Sequence, residues 1–551
     1  MSLTNDPLWY KNAIFYELHI RSFCDSNGDG KGDLPGVISK LDYLQDLGVD
    51  CIWLLPMFPS PLNDDGYDIS DYYNIHPDYG TVEDFKQLVA EAHARGMRVI
   101  ADLVLNHTSD QHEWFIESRK SKDNPYRDYY VWSETDQKYQ EARIIFLDTE
   151  PSNWAYDETT GEYYWHRFFS SQPDLNYDNP VVADKMIDIL RYWMGMGMDG
   201  FRADAVTYLF EREGTNCESL PETHDYLKRI RAVLDDEYPG AILLGETNQW
   251  PQELRIYFGG DPDDPTVPGD EFHMAFHFPV MPRIFKALST GDVSDIITIL
   301  ADTPPLPENS QWCVFLRNHD ELTLEMVTPE DRELMWQHYA PDPAMRSNLG
   351  IRRRLAPLLD NDPRKIELAN AMIFSLPGSP IIYYGDEIGM GDNIELFDRN
   401  GVRTPMQWTH ERGAGFSQAD PANFWAPVID DEVYGYQQVN VAAQMADKGS
   451  LFYGMKRLVA ARKENPVLGW GDCTFLPIDN QAILAYQRYT SEAQMLIVCN
   501  VSNQTQEVTL PFAEVVGRQL QDVFSKTGYP VETANHKMTL GPYQYRWLLV
   551  E

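Results

Sequence analysis

The chain has 551 residues, 43% of them hydrophobic, and carries 85 acidic against 45 basic side chains for a formal net charge of -40. That length supports one large core plus accessory domains. That charge excludes nucleic acid and anionic membranes as partners, because both are bound through basic patches; a neutral small molecule suits it better. The six cysteines form no CxxC pair, and Cys51, Cys313 and Cys499 sit inside apolar runs as reduced thiols do. No disulfide framework, zinc site or organic cofactor is expected. The start, MSLTNDPLWYKNAIFYEL, lacks the basic and apolar regions of a signal peptide, and no stretch reaches the roughly 18 apolar residues of a membrane span. The expectation is a cytoplasmic protein with no membrane partner, free to form a homo-oligomer.

Eight short apolar runs follow one another: AIFYELHI (13–20), CIWLLP (51–56), MRVIADLVLNH (97–107), GFRADAV (200–206), AILLGET (241–247), FHMAFHF (272–278), QWCVFLRNHD (311–320) and SPIIYYGDEI (379–388). Helical patterns separate many of them, such as TVEDFKQLVAEAHARG (81–96), where Thr81 is placed as an N-cap with Glu83 and Asp84 at the positive end. Continuous apolar strands alternating with helices predict a parallel sheet buried on both faces, and eight units predict a (β/α)8 TIM barrel. Residues 1–107 and 177–470 are assigned to it. The stretch 108–176 is rich in Trp, Tyr, Asp and Glu without helical period, and reads as a domain inserted after the third strand. From about residue 471 the pattern turns to period two in AILAYQRY, QMLIVCNVS and QEVTLPF, which predicts a C-terminal antiparallel β-sandwich domain over 471–551.

After the first strand, DSNGDGKGD (25–33) sets Asp25, Asn27, Asp29 and Asp33 among glycines. Hard oxygen donors on a tightly turning loop suit Ca2+. Gly36 stands where an EF-hand needs its bidentate glutamate, and a strand precedes the loop, so the choice lies between another kind of calcium turn and a metal-free polar turn.

In GFRADAV, Arg202 and Asp204 share one face of a strand because side chains two apart point the same way. Alone, the pair reads either as a structural ion pair or as a carboxylate kept ionised and aimed by a guanidinium. Catalytic groups of a barrel sit at the C-terminal strand ends. Those ends carry Asp102, Asn106 and His107, then Arg202 and Asp204, then Glu246, then Asn318, His319 and Asp320. Asp204, Glu246 and Asp320 therefore come from three strand ends and can converge on one pocket, where like charges raise one another's pKa.

In this order ADLVLNH, GFRADAV, LLGET and FLRNHD, with QPDLN (172–176) between the first two, resemble the signature segments of the α-amylase superfamily of glycoside hydrolases and transglycosidases (glycoside hydrolase family 13). The resemblance implies Asp204 as nucleophile, Glu246 as general acid/base and Asp320 as the acid that fixes the sugar and its distorted transition state, the logic of retaining catalysis. It implies substrate contacts at His107, Gln172, Arg202 and His319, and at Asp64 and Tyr67 in NDDGYDISDYY. In RNGVRTPMQW (399–408), Arg403 is expected to pair with Asp64 and close the pocket behind one terminal glucose. It also implies the Lys31 carbonyl as a further ligand of the first calcium, and a second calcium at Asn106, Asp174 and Glu211 with the carbonyls of Tyr208 and Leu209. Ala205 after the nucleophile favours an α-1,4 bond. EREGTNCESLPETH, the long segment at about 324–363 and YYGDEIGMGDN look like the branch of the family that interconverts maltose and trehalose. The expected substrate is thus a disaccharide, with residues 324–363 and the inserted domain as lid and some glucose as by-product. An exo-acting α-1,4-glucosidase with the same acids is the alternative. A catalytically dead scaffold is disfavoured by the presence of all three acids.

Overall fold

The computed structural model describes residue 3 and residues 6–551. Each of the eight apolar runs contains one strand of a closed barrel: β1 (Phe15–Leu18), β2 (Cys51–Leu54), β3 (Arg98–Val104), β4 (Gly200–Asp204), β5 (Ile242–Gly245), β6 (Met274–Phe276), β7 (Gln311–Phe315) and β8 (Ser379–Tyr383). Every strand pairs in parallel with its neighbours in sequence, and β1 pairs with β8 to close the ring. Almost every strand residue is buried, as a sheet covered by helices outside and packed side chains inside requires. Between β2 and β3 the helix Val82–Ala94 starts at Thr81. Its hydroxyl accepts the Asp84 N–H while the Asp84 carboxylate accepts the Thr81 N–H. Phe85, Leu88, Val89 and Ala92 recur at helical spacing and turn inward onto the barrel.

Between β3 and β4 the chain builds a three-stranded antiparallel sheet from Trp132–Ser133, Glu162–Trp165 and Trp154–Asp157. Trp154 and Trp165 pack edge to face over a small core of their own. The segment returns to the barrel where Asp174 bridges His107, so its end is tied to the end of β3.

The stretch after β7 is not irregular. Thr328 caps a helix over Pro329–Tyr339, with proline in the first turn and Glu330 and Asp331 at its positive end. A short hairpin of Arg346–Ser347 and Gly350–Ile351 follows. Beyond residue 471 a six-stranded antiparallel sheet and a two-stranded one enclose Leu496, Val498, Leu510, Phe512, Leu520 and Leu548. Arg488 fastens this domain to the barrel by donating to the carbonyls of Ser375 and Gly471, each at 2.7 Å.

Candidate active site

The alternation of β4 sends Arg202 and Asp204 into the mouth of the barrel, and Arg202 becomes its electrostatic centre. Its Nη1 donates to Asp204 Oδ1 at 2.6 Å and to Asp102 Oδ1 from β3, while Nη2 meets Glu246 Oε2, just past β5, at 2.8 Å. The guanidinium is 1% exposed and Asp102 fully buried. Trp53 Nε1 holds the second Asp102 oxygen at 2.8 Å. One cation thus serves three carboxylates. Burial raises the pKa of Asp204, Arg202 opposes the rise, and the charges of Glu246, Asp102 and Asp320 add to it. A group with excess negative charge shares its protons as a set, as an enzyme that needs one ionised and one protonated acid requires. Ala205, next in the chain, adopts a left-handed conformation at φ 50° and ψ 36°, a strained choice for a residue with a Cβ. It turns the backbone so that the Ala205 N–H points to Glu246 Oε2 at 3.3 Å.

Asp320, past the end of β7, closes the other side. Its Oδ1 accepts from Arg399 at 2.7 Å and Arg403 at 3.1 Å, and its Oδ2 lies 3.1 Å from His319 Nε2. These partners overcome burial and hold its carboxyl well below the usual range. The second arm of Arg399 donates to Asp64 Oδ1 at 2.7 Å, so one guanidinium bridges Asp64 and Asp320. Burial still pushes Asp64 up to about 6, against Arg399 and Arg403. Gln172 donates to Asp64 Oδ2 at 2.9 Å and lies 3.2 Å from His107 Nε2. Burial lowers His107 to about 3, which keeps its ring neutral.

This corrects the expectation for Arg403. It pairs with Asp65 at 3.1 Å and the His319 carbonyl at 2.9 Å, and Arg399 takes Asp64 instead. The 3-10 turn Asp398–Val402 brings Arg399 to the pocket wall and leaves Arg403 behind it. The open cavity measures about 140 Å³. Asp64, Tyr67, His107 and the three acids line it, whereas Gln172, Arg202, His319 and Arg403 stand behind as supports. Phe146, Phe168, Phe278, Glu321, Glu325 and Arg399 line it too and were not foreseen. The aromatic rings had no spacing to mark them, and the two glutamates stand among many surface acids. At the rim, Arg143 of the inserted segment donates to Glu325 at 3.0 Å, Glu218 at 2.9 Å and the Tyr208 hydroxyl at 3.3 Å. The Asn348 N–H of the hairpin after β7 meets Asp148 at 2.8 Å. The two long insertions therefore touch across the pocket mouth.

The two predicted cation loops differ. In the first, Asp25 accepts the N–H groups of Asn27, Gly28 and Gly30 and the Ser417 hydroxyl, and Asp33 accepts from Ser26 and Gly36. Asn27 and Asp29 each accept one loop N–H, from Asp29 and Lys31. In the second, Asn106 Oδ1, Asp174 Oδ2 and Glu211 Oε1 are all buried without a hydrogen-bond partner. Burial pushes Asp174 up to about 8, and burial together with the charge of Asp174 raises Glu211 well above the usual range. Tyr208 and Leu209 lie in and just after the 3-10 turn Val206–Tyr208, two residues ahead of Glu211. Among the described residues no group of three or more His, Cys, Asp and Glu is placed to hold a metal; this set has two acids and an amide.

Three carboxylates on the rim of a (β/α)8 barrel, with an insertion after β3 and a β domain behind, define a glycoside-processing site of the α-amylase type. The α-amylase catalytic domain family matches residues 17–340 and 352–471, and the C-terminal domain of maltogenic amylase matches 473–547. The chain belongs to the α-amylase family. Within it, the chain is 55% identical over 539 residues to the trehalose synthase/amylase TreS of Mycobacterium tuberculosis, covering 97% of this chain and 87% of that one. It is 53% identical to the trehalose synthase of a Pimelobacter species, over 99% of this chain and 96% of the relative. Among solved structures, trehalulose synthase MutB from Pseudomonas mesoacidophila superposes with a TM-score of 0.79 at 29% identity, over 98% of this chain and 99% of that one.

Arg399→Ala leaves the buried Asp64 and the partly exposed Asp320 without their shared cation, with only Arg403 and His319 still holding Asp320. Losing the cation that orients Asp320 should lower kcat/KM by about a hundredfold, roughly 2.7 kcal/mol of transition-state stabilisation. Arg412→Ala, which removes an exposed pair with Asp420, should leave kcat/KM unchanged. Equal kinetics for the two variants would contradict the role given to Arg399.

Proposed function

We propose that this enzyme interconverts maltose and trehalose by intramolecular transfer of a glucosyl unit. The observation that carries this reading is the pocket's shape: Arg399 links Asp64 and Asp320 into a wall at one end, which in this reading admits one terminal sugar, and the insertions meet across the other. The identity to trehalose synthases over nearly the full chain supports it. Asp204 attacks the anomeric carbon of the non-reducing glucose while Glu246 delivers a proton to the departing 4-oxygen. The freed glucose stays under the rim and turns. Glu246 then takes the proton from its anomeric hydroxyl as that oxygen attacks the glucosyl–Asp204 ester. Two inversions give net retention and the α,α-1,1 bond. A rim that excludes water protects the intermediate, and water that slips through yields the minor glucose. The six cysteines, all free, support a reducing cytoplasm, and among the described residues no helix is long and apolar enough to cross a membrane.

The residues also fit calcium. The unpartnered oxygens of Asn106, Asp174 and Glu211 offer hard donors, and with the carbonyls of Tyr208 and Leu209 they would hold a Ca2+ that joins the inserted segment to the barrel and favours the ionised form of both acids. The 25–33 loop, with Asp25, Asn27, Asp29, Asp33 and the Lys31 carbonyl, is a second proposal on its oxygen-only donor set. There an ion has to compete with the loop's own N–H groups.

Two experiments test these readings. Supplied with maltose alone, the enzyme should make more trehalose than glucose, and supplied with trehalose it should make maltose; Asp204→Asn should abolish both while the protein stays folded. Glucose at two per maltose, with no trehalose, would make the enzyme an α-glucosidase. In thermal melts, a hundredfold excess of Ca2+ over its Kd should stabilise the metal-stripped protein by about 2.7 kcal/mol. Asp174→Asn should remove the share of that response that belongs to its own site, and a Tm indifferent to calcium and chelator would overturn both metal proposals.

A further inference from the structure

We propose that Glu17 is a positioning residue for the transfer reaction: its buried carboxylate keeps His319 an imidazolium, and that cation supplies the hydrogen bond that locks Asp320. The inference rests on the reading of Asp320 as the acid that fixes the sugar.

Glu17 lies in β1, inside a run that is otherwise almost wholly apolar, and is fully buried. A buried carboxylate without a counter-charge costs several kcal/mol. One oxygen, Oε1, accepts both the backbone N–H of His319 at 3.1 Å and its Nδ1 at 2.6 Å. The other, Oε2, has no hydrogen-bond partner. The partner Glu17 has therefore acquired is a single imidazole ring.

The two carboxylates at opposite ends of the ring favour its charged form. Nδ1 faces a carboxylate and must carry a proton. Nε2 lies 3.1 Å from Asp320 Oδ2 and 2.8 Å from the Tyr67 hydroxyl. In the neutral ring, Nε2 would set a lone pair against the negative Asp320; in the imidazolium it donates to it. Other groups face the ring as well. Tyr67 stacks on it at 5.3 Å and 11°, Trp53 meets it edge-on, and Asp102 lies 3.4 Å beyond the Tyr67 hydroxyl. Arg403 donates to the His319 carbonyl and Arg202 to the Tyr67 hydroxyl at 3.3 Å. Burial opposes a charged ring, but Asp320 and Glu17 prevail and raise His319 to about 9. With Oδ2 held by His319 and Oδ1 by Arg399 and Arg403, Asp320 has one orientation. The same pairing contributes stability in full below about pH 6.5, the unfolded value, and loses it as pH rises through about 9.

Glu17→Gln keeps the size and the acceptor and removes the charge. The readout is kcat/KM for maltose consumption, whichever product forms, from pH 5.5 to 10. The ratio of variant to wild-type kcat/KM, in which the titration of the shared general acid cancels, should fall as pH rises from 6 toward 9. At pH 8.5 the variant should be at least about tenfold down, the factor that one pKa unit sets, with a far smaller deficit at pH 6. Superimposable profiles would overturn the proposal. The wild-type protein gives a second, activity-free reading: the histidine resonance missing from His319→Gln should titrate near 9, and titration near 6.5 would overturn the proposal even if Glu17→Gln does not fold. Failure of the isomerase reading would show in the products and leave both readouts intact.

Discussion

The site depends on one buried guanidinium shared among three carboxylates. Arg202 cannot leave, because the buried Asp102 and Asp204 and the partly exposed Glu246 would then be crowded like charges with no cation between them. It cannot neutralise all three either, so the group always holds negative charge to spare. That imbalance is what a two-step glycosyl transfer uses: an ionised oxygen for the anomeric carbon and a mobile proton for the leaving oxygen. The fold, in this sense, holds four charged side chains from three neighbouring strand ends in contact. Parallel pairing of β3, β4 and β5 aligns those ends, with Asp102 opposite Arg202 in register.

A second charge relay runs along the opposite wall. Asp64, Arg399, Asp320, His319 and Glu17 alternate in sign from the pocket's closed end into the barrel interior. Each charge is balanced by the next, which lets five ionisable groups sit in a desolvated wall without collapsing it. Rigidity here matters more than attraction. The wall is tied by four linked ion pairs, while the rim contacts of Arg143 and Asn348 are few, partly exposed and built from insertions. A fixed wall and a breakable rim suit a reaction whose leaving group must turn but not escape.

Much of this was legible in the sequence, for definite physical reasons. Strands buried on both faces read as unbroken apolar runs, so all eight were visible, and polar residues at their ends marked Asp204, Glu246 and Asp320. The two-residue spacing of Arg202 and Asp204 gave their shared face. What stayed hidden depended on contacts between distant segments. Nothing in RNGVR says which arginine a 3-10 turn will carry to the wall, so Arg399 and Arg403 exchanged roles. Glu17 looked like one polar letter in an apolar strand, and only the position of His319 gives it meaning. The capped helix Pro329–Tyr339 carries its start signals in TPED, inside the segment expected to act as a lid. The touch between Arg143 and Glu325 joins residues far apart in the chain and leaves no local pattern.

The central claim is that the freed glucose is transferred before it leaves. It is tested most directly by turning over unlabelled maltose in a large excess of carbon-13-labelled glucose and measuring label in the trehalose formed early. The account predicts trehalose that is essentially unlabelled, because the acceptor is the glucose already under the rim. Label entering trehalose in proportion to free glucose would mean that the leaving sugar escapes and an outside one attacks, and the closed-pocket account would fail.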